Sequence, residues 1–403
     1  MKKNKYLRYF LATIILVSCV DSIDYSSINF KSNLIVKAII TDEFKNHTVE
    51  LSKSVPIDSE EIIKEINAVV KIKDDSGNIY DFNETEQGIY TSISPFKAEP
   101  NQSYTLEIQT SNGEKYSSSS QQLPTLANIN NLTPSIDNNL DNNKVIVLTL
   151  DASGNSANGS YYRYEYDETY QIRPVVWNPK RIEVVSDTPP YAFKIVEKEP
   201  EIYGNGFCYG NNKSKKILLA ETTSLSSDEV KGYKIREIPV SSYVLGIRYS
   251  ILIKQYVLNQ NTNNYYQLLD KFSNNDNIFT QTQVGNIPSN ITSETNPIED
   301  KVIGYFEVSS LTKKRFYFNR EDITNLSFVN YLGLTGCNEF PNPPLEDDSG
   351  GSPLLEYLQT HILYDEPPGG IGGGSDAPYE LILRECGDCS QAGSVIKPDF
   401  WED

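Results

Sequence analysis

Short alternations of apolar and polar side chains are the feature that most limits how this chain can fold. Residues 68–73, 104–109 and 247–254 each repeat with a period of two. This period places successive side chains on opposite faces of a β-strand. Val, Ile, Thr, Tyr and Phe dominate these runs, and all of them favour extended backbone. The pattern therefore predicts an all-β protein.

Residues 33–123 carry such runs at intervals of roughly ten residues, the spacing of short strands in a sandwich. Two of the runs flank the sequence Asp-Asp-Ser-Gly-Asn at residues 74–78, whose composition is typical of a tight turn. We therefore predict a hairpin at this point. For the whole segment we predict an immunoglobulin-like β-sandwich.

The composition changes after residue 123. Residues 124–143 are rich in Pro, Asn and Asp, and we expect a linker there. Residues 144–403 resume the alternation and predict a larger β-rich domain with one or two short helices. One helix is expected over residues 263–272, where apolar side chains recur at helical spacing. Ser352 and Pro353 occupy the preferred cap and first-turn positions of a second, expected over residues 353–361.

The first residues are typical of an export signal. A basic head over residues 2–8 precedes an apolar run over residues 10–17, well short of the ~20 residues needed to cross a bilayer. The ending Leu16-Val17-Ser18-Cys19 resembles a bacterial lipobox, in which cleavage frees Cys19 to carry acyl chains such as palmitate. The alternative is an ordinary signal peptide with a chance cysteine. We expect a signal peptide over residues 1–18, a lipidated tether over residues 19–32 and a membrane-anchored mature protein.

Four further cysteines are Cys208, Cys337, Cys386 and Cys389. In an exported protein they indicate two disulfides, for which three connectivities exist. We favour the two connectivities that join Cys208 and Cys337 separately to the C-terminal pair and so staple the tail to the second domain, because long loops gain more from closure. The third connectivity, a zinc site and a redox dithiol remain alternatives.

The net charge and the histidine content disfavour several classes of function. The chain has 36 basic and 54 acidic side chains and a net charge of −18, which disfavours nucleic-acid partners. Its two histidines, His47 and His361, lie in separate segments without a nucleophile motif. We therefore assign no catalytic, cofactor-binding or metal-binding residue and expect no cofactor. Glu165 and Asp167 remain an alternative acid–base pair for a hydrolase.

A tyrosine stripe suggests where a ligand would bind. Tyr162, Tyr164 and Tyr166 share one face of a predicted strand. Amphipathic rings of this kind suit sugar ligands, but such a stripe also packs well against a second sheet. The stripe is therefore a candidate ligand face, with core packing as the alternative.

Several motifs together resemble one family. They are, in chain order, the lipobox at Cys19, the strand at residues 34–40, Cys208-Tyr209, Gly285-Asn286-Ile287, Val302-Ile303-Gly304-Tyr305-Phe306, Ser309-Ser310, Lys314-Arg315, Cys386-Gly387-Asp388-Cys389 and Lys397-Pro398-Asp399-Phe400-Trp401. This order is similar to that of the DUF4249 lipoproteins of the Bacteroidota, named for an uncharacterised domain. Residues 347–376 depart from the pattern and look like an insertion.

The resemblance implies outer-membrane anchoring and a genetic neighbourhood shared with a TonB-dependent receptor. It supplies no catalytic residues. We therefore expect a surface-facing lipoprotein that acts without catalysis as an accessory or substrate-capture partner of a TonB-dependent transporter. The alternatives are a structural envelope-assembly or adhesion lipoprotein, and a surface hydrolase acting on glycans or peptides.

Overall fold

The computed structural model describes residues 31–56, 59, 61–273, 287–298, 300–325, 337–366 and 377–402. The export signal and Cys19, like residues 367–376, lie outside the described residues. Within these ranges, no helix has the length and apolar character needed to span a bilayer. Strands are by far the most frequent regular element of the described chain and helices are few, which confirms the predicted all-β fold.

The first region, residues 31–123, forms one set of strands. They are β1 (Leu34–Thr41), β2 (Thr48–Lys53), β3 (Ile63–Lys64), β4 (Val69–Asp74), β5 (Ile79–Glu86), β6 (Ile89–Ser92), β7 (Ser103–Gln109), β8 (Lys115–Ser118) and β9 (Gln121–Gln122). The predicted hairpin is confirmed, because β4 and β5 pair antiparallel across the turn. Gly77 adopts a φ of 91° in that turn, a conformation that favours glycine.

The second region supplies the remaining strands. They are β10 (Asn128–Asn138), β11 (Lys144–Ser153), β12 (Tyr161–Ile172), β13 (Lys180–Ser186), β14 (Ala192–Glu197), β15 (Cys208–Lys213), β16 (Leu218–Glu221), β17 (Glu229–Pro239), β18 (Arg248–Leu258), β19 (Ile291–Ser293), β20 (Val302–Asn319), β21 (His361–Asp365) and β22 (Glu380–Leu383). Strands β15, β12, β18, β20, β1 and β2 follow one another in a single large sheet.

Strand β20 is long enough to serve both regions. Its first half pairs parallel with β1, and its second half pairs antiparallel with β18. Val302, Phe306 and Val308 point into the core of the first region, so that core includes residues from late in the chain. Gly304 allows the close approach of β1, because a Cβ atom there would lie 1.8 Å from the carbonyl oxygen of Val36.

A second sheet of β10, β11 and β17 packs behind β12 and β18. Strand β10 occupies residues 128–138, where we had expected a linker. The Asn- and Pro-rich composition suggested a loop, but Ile129 and Leu132 are buried between the sheets. Pro134 is tolerated because β10 is an edge strand, where a missing N–H need not remove a ladder hydrogen bond.

The helices of the described chain are short. They are α1 (Pro200–Tyr203), α2 (Gln260–Ser273), α3 (Arg320–Ile323), α4 (Pro353–Tyr357) and α5 (Arg384–Gly387), with a 3₁₀ turn at Tyr243–Leu245. Helix α2 confirms the helix expected over residues 263–272. Helix α4 begins at Pro353 as predicted, with Ser352 as its cap, but it ends at Tyr357. The expected extension to residue 361 is wrong, because the chain turns into β21, whose Leu363 packs against Leu354.

Candidate functional site

A cleft of about 660 Å³ lies on the face of the large sheet opposite the second sheet. We call this side of β12 the front face, and the side that carries the tyrosine stripe the back face. The floor of the cleft comes from outward-facing residues of β1, β12, β18 and β20, which are adjacent strands. Helix α2 forms one wall. A second wall is the lysine loop, residues 213–217, which connects β15 to β16.

A buried ion pair lies at the deep end of the cleft. The guanidinium of Arg163 on β12 contacts Glu307 on β20 at 3.0 Å, and Arg163 also pairs with Glu165. Arg163 is 4% exposed and Glu307 1%. The guanidinium carbon lies 4.0 Å from the ring centre of Tyr256 and 4.7 Å from that of Tyr266. Burial alone would lower the pKa of Arg163, but Glu307 and the other neighbours raise it above its usual value.

The carboxylate of Glu307 also fixes helix α2 to the sheet. The hydroxyl of Tyr266 donates to Glu307 Oε2 at 2.6 Å, and the Ser309 hydroxyl donates to Oε1 at 2.7 Å. Burial, followed by the charge of Glu307, raises the pKa of Tyr266 well above its usual value. Tyr266 therefore stays protonated and remains a donor, so the deep end of the cleft is a buried polar network.

The mouth of the cleft carries more exposed charges. Lys254 pairs with Asp167 at 2.6 Å, and Lys37 pairs with Glu50 at 2.7 Å. The lysine loop differs, because the exposed Lys213, Lys215 and Lys216 have no ion-pair partner among the described residues. A second cavity, of about 510 Å³, lies on the other side of the same loop and is also lined by Arg236 and Glu168.

The rings of the tyrosine stripe do not face the cleft, although Tyr164 is one of the residues that border it. Tyr162 and Tyr164 are completely buried in the core behind the sheet, so neither can present a ring to a ligand. Tyr162 donates to Asp228 Oδ1 at 2.7 Å, and the rings of Tyr164 and Tyr233 lie 5.3 Å apart. Tyr166 is half-buried and lines the second cavity. The first two tyrosines therefore follow the core-packing alternative, because the second sheet covers the back face.

Glu165 and Asp167, the alternative acid–base pair, do lie on the floor of the cleft. Each carboxylate is engaged by a cation, Glu165 by Arg163 and Asp167 by Lys254. Neither carboxylate is thus an unpaired group facing open space. This arrangement is typical of structural ion pairs on a sheet surface.

The two histidines lie away from the cleft. His47 is buried in the first region, where its Nε2 is 3.0 Å from the carbonyl oxygen of Phe96. Burial is the largest cause that lowers the pKa of His47 to about 4. His361 begins β21, and its ring centre lies 5.1 Å from that of Tyr357. No group of three metal-ligating side chains occurs within the described ranges.

The disulfides join Cys208 to Cys389 and Cys337 to Cys386, with Cα–Cα distances of 5.8 and 5.6 Å. This is one of the two stapling connectivities that the sequence favours, and it confirms the prediction that the C-terminal tail is fastened to the second region. The tail then packs on the large sheet. Its Trp401 lies 5.1 Å from the ring of Tyr209, and Arg315 lies 3.6 Å above the ring of Phe400.

Sequence reasoning missed the pairing of Arg163 with Glu307. The two residues are 144 positions apart, so no spacing rule connects them. One signal was present, since Glu307 is a lone carboxylate within the apolar run of residues 302–308. A buried charge needs a partner of opposite charge or several hydrogen-bond donors, so this position predicts a polar partner.

The family model for DUF4249, a domain of unknown function, matches residues 20–315. The chain belongs to the DUF4249 family. The matched range includes every residue that lines the cleft, from Ile35 to Tyr305, together with Glu307. The Cys386–Cys389 motif and the tail lie beyond it. No curated protein matches the chain.

Proposed function

We propose that this DUF4249 protein is a surface-facing, lipid-anchored outer-membrane protein of the Bacteroidota. In this proposal it acts without catalysis as the accessory or substrate-capture partner of a TonB-dependent transporter. The cleft on the front face holds the substrate. The acyl chains on Cys19 keep that cleft close to the transporter.

The observation that carries the proposal is the cleft itself. Its volume of about 660 Å³ falls within the range of small-ligand sites. Its wall and floor present tyrosine rings next to charged groups, a combination that holds a ligand by both apolar and polar contacts. Because Glu165, Asp167 and Glu307 are each engaged by a cation, the site favours binding over acid–base chemistry.

Export is supported by two independent features. The described disulfides are of the kind that persist in oxidising compartments outside the cytosol. The sequence around Cys19 resembles a lipobox, and several acyl chains anchor a protein stably where one does not. Both features agree with an envelope lipoprotein.

The test is affinity purification of the tagged lipoprotein from its native outer membrane in mild detergent, followed by mass spectrometry. We expect a TonB-dependent receptor to co-elute in stoichiometric amount. The matched control is Cys19→Ser, which removes the acylation site but none of the described residues and should release the protein from the membrane. Recovery of the native lipoprotein without any β-barrel receptor would overturn the proposed partnership.

A further inference from the structure

We propose that the cleft binds an anionic sugar, whose ring packs against Tyr265 and whose anionic group is held by the lysine loop. This inference rests on the proposed function, because it names the substrate class of the same cleft. It is carried by three observations: the unpaired charge of the loop, the fixed position of that loop, and the aromatic wall opposite.

The charge of the loop is not neutralised locally. Every other cation that lines the cleft has a carboxylate partner. Lys37 pairs with Glu50, and Lys254 pairs with Asp167. Arg163 pairs with both Glu165 and Glu307. Lys213, Lys215 and Lys216 have none within the described chain. The protein as a whole carries a net charge of −18. A local surplus of positive charge on such a molecule is where an anion would be attracted.

The loop is held in place by the sheet. The backbone N–H of Ser214 donates to the carbonyl oxygen of Tyr166 at 2.9 Å. In return, the N–H of Tyr166 donates to the Ser214 hydroxyl at 3.1 Å. Ser214 is therefore fastened to β12 between the lysines. The backbone that carries these cations is therefore already ordered before a ligand binds. Binding does not lose free energy in ordering it, so the affinity is higher than for a flexible loop.

The opposite wall offers aromatic surface. The ring of Tyr265 on α2 lies 4.9 Å from that of Tyr305 on β20 and 5.3 Å from that of Tyr266. Tyr265 is half-buried and keeps part of its ring in the cleft. Such rings pack well against the C–H faces of a sugar. The partly exposed Lys254–Asp167 pair lies between the wall and the loop and can hydrogen-bond to sugar hydroxyls.

The floor argues against a peptide bound as an added strand. Peptides that join a sheet need an unpaired strand edge. Here β12, β18 and β1 each have a hydrogen-bonded strand on both sides. The half of β20 that lines the cleft pairs with β1 on one edge, and the side chains of Ser289 and Asn290 bond the other edge at Gly304 and Phe306. A compact ligand that stands on the sheet face therefore fits the cleft better than an extended chain does.

The test measures binding to the purified full-length lipoprotein by calorimetry. The probes are a sulfated galactose disaccharide, the same disaccharide without sulfate, inorganic sulfate and a triglutamate peptide. We expect the sulfated disaccharide to bind more tightly than any of the other three. Added salt should weaken its binding, because the contacts of the lysine loop are exposed to solvent.

Two variants separate the parts of the site. The triple change Lys213→Gln, Lys215→Gln and Lys216→Gln should weaken binding of the sulfated disaccharide by about tenfold or more. Tyr265→Ala should weaken it by a similar factor of about ten, since a stacked ring is lost. The matched control is Lys71→Gln, Lys73→Gln and Lys115→Gln, which removes the same charge from β4 and β8 in the first region. That control should bind as the native protein does.

Equal binding of the sulfated and unsulfated sugars would overturn the role of the lysine loop. If triglutamate binds as tightly as the sulfated disaccharide, the ligand is not specifically a sugar. If the sulfated disaccharide does not bind, the whole inference is overturned. These outcomes are separate from the proposed function. A receptor that still co-purifies with a protein that binds no anionic sugar would leave the transport partnership intact. Sugar binding without a receptor would overturn the partnership alone.

Discussion

Successive side chains of strand β12 point to opposite faces of the sheet, and the two faces have different surroundings. On the back face, Tyr162 and Tyr164 are sealed in the core. On the front face, Arg163, Glu165 and Asp167 form the floor of a cleft. The difference comes from what covers each face. The three-stranded sheet of β10, β11 and β17 covers the back, whereas helix α2 and the lysine loop border the front and leave the cleft between them.

The comparison also separates two ways of burying a charge. Behind the sheet, Asp228 has no ion-pair partner in the described part of the chain and is held by neutral donors from Tyr162, Ser160 and Thr222. In front, Glu307 is held by Arg163 and by the hydroxyl of Tyr266. Removing a neutral donor leaves the charge of Asp228 still bonded to others. Removing Arg163 leaves Glu307 without its cation, so Glu307 should be the more sensitive of these two carboxylates.

The largest expected effect is that of Arg163→Met. This change leaves Glu307, which is 1% exposed, as an uncompensated buried charge. We expect the free energy of unfolding to fall by about 3–5 kcal/mol, as measured by urea denaturation. The double change Arg163→Met with Glu307→Met removes both charges and should recover much of that loss.

The control for this prediction is Arg181→Met, which breaks the pair of Arg181 and Glu199 on the surface. It should cost no more than about 1 kcal/mol, because solvent screens that pair. A double variant less stable than Arg163→Met alone would contradict the prediction. The front face would then be stabilised by packing around the guanidinium and not by charge.

The next effect is on the back face, where Tyr162→Phe removes the hydroxyl that donates to Asp228. We expect a loss of about 1.5–3 kcal/mol at neutral pH, the contribution of a hydrogen bond to a charged group. Burial alone would raise the pKa of Asp228, but hydrogen bonds from Thr222, Tyr162 and Ser160 outweigh it and lower the pKa. A lowered carboxyl pKa stabilises the fold above the unfolded value of about 3.9, and this contribution is lost as the pH falls.

The pH dependence of the stability lost in Tyr162→Phe follows from the lowered pKa of Asp228. The native protein and the variant should differ most at neutral pH. Below about pH 4 the difference should shrink and then vanish as the pH falls through the lowered pKa of Asp228, because the native protein then loses the ionised carboxylate that accepts the hydroxyl. Thermal unfolding followed from pH 7 to pH 3 measures this. A difference that is the same at every pH would mean that the hydroxyl contributes through packing only.

Much of the fold could be predicted from the sequence because its signals are local. The period-two runs correctly indicated strands such as β4, β7 and β18, and helical spacing indicated α2. The linker prediction for residues 124–143 missed β10, because an edge strand tolerates the Asn and Pro residues that usually mark loops. The limit of local signals is reached where pairing to a distant strand decides the structure.

The candidate site was less predictable for the same reason. Alternation shows that odd and even residues of β12 lie on different faces, but it does not show which face another sheet will cover. The aromatic stripe suggested the back face, whereas Arg163, Glu165 and Asp167 on the front face line the cleft. The partner of Arg163 is 144 residues away, on β20. Only the assembled sheet brings the two together.

The third prediction compares neighbouring tyrosines on the back face. The hydroxyl of Tyr164 is buried and has no hydrogen-bond partner in the described chain, unlike that of Tyr162. Tyr164→Phe should therefore raise the free energy of unfolding by about 1 kcal/mol, since a buried unsatisfied group is removed. Tyr162→Phe is the matched control, with the same chemical change two residues away. If both substitutions destabilise the protein equally in urea denaturation, the two hydroxyls have equivalent partners.

The smallest effect is expected at the mouth of the cleft, where Lys254 and Asp167 form an ion pair. Their side chains are 21% and 32% exposed, so water and salt reach the pair far more than they reach Arg163. A double-mutant cycle with Lys254→Gln and Asp167→Asn should give a coupling energy of about 0.2–1 kcal/mol. That coupling should decrease as salt is added, because screening acts on exposed charges. A coupling as large as that of Arg163 with Glu307 would contradict the distinction between a closed deep end and a solvated mouth. Because the expected coupling energy is small, the pair can break and either side chain can bond a ligand hydroxyl instead, without unfolding the sheet beneath it.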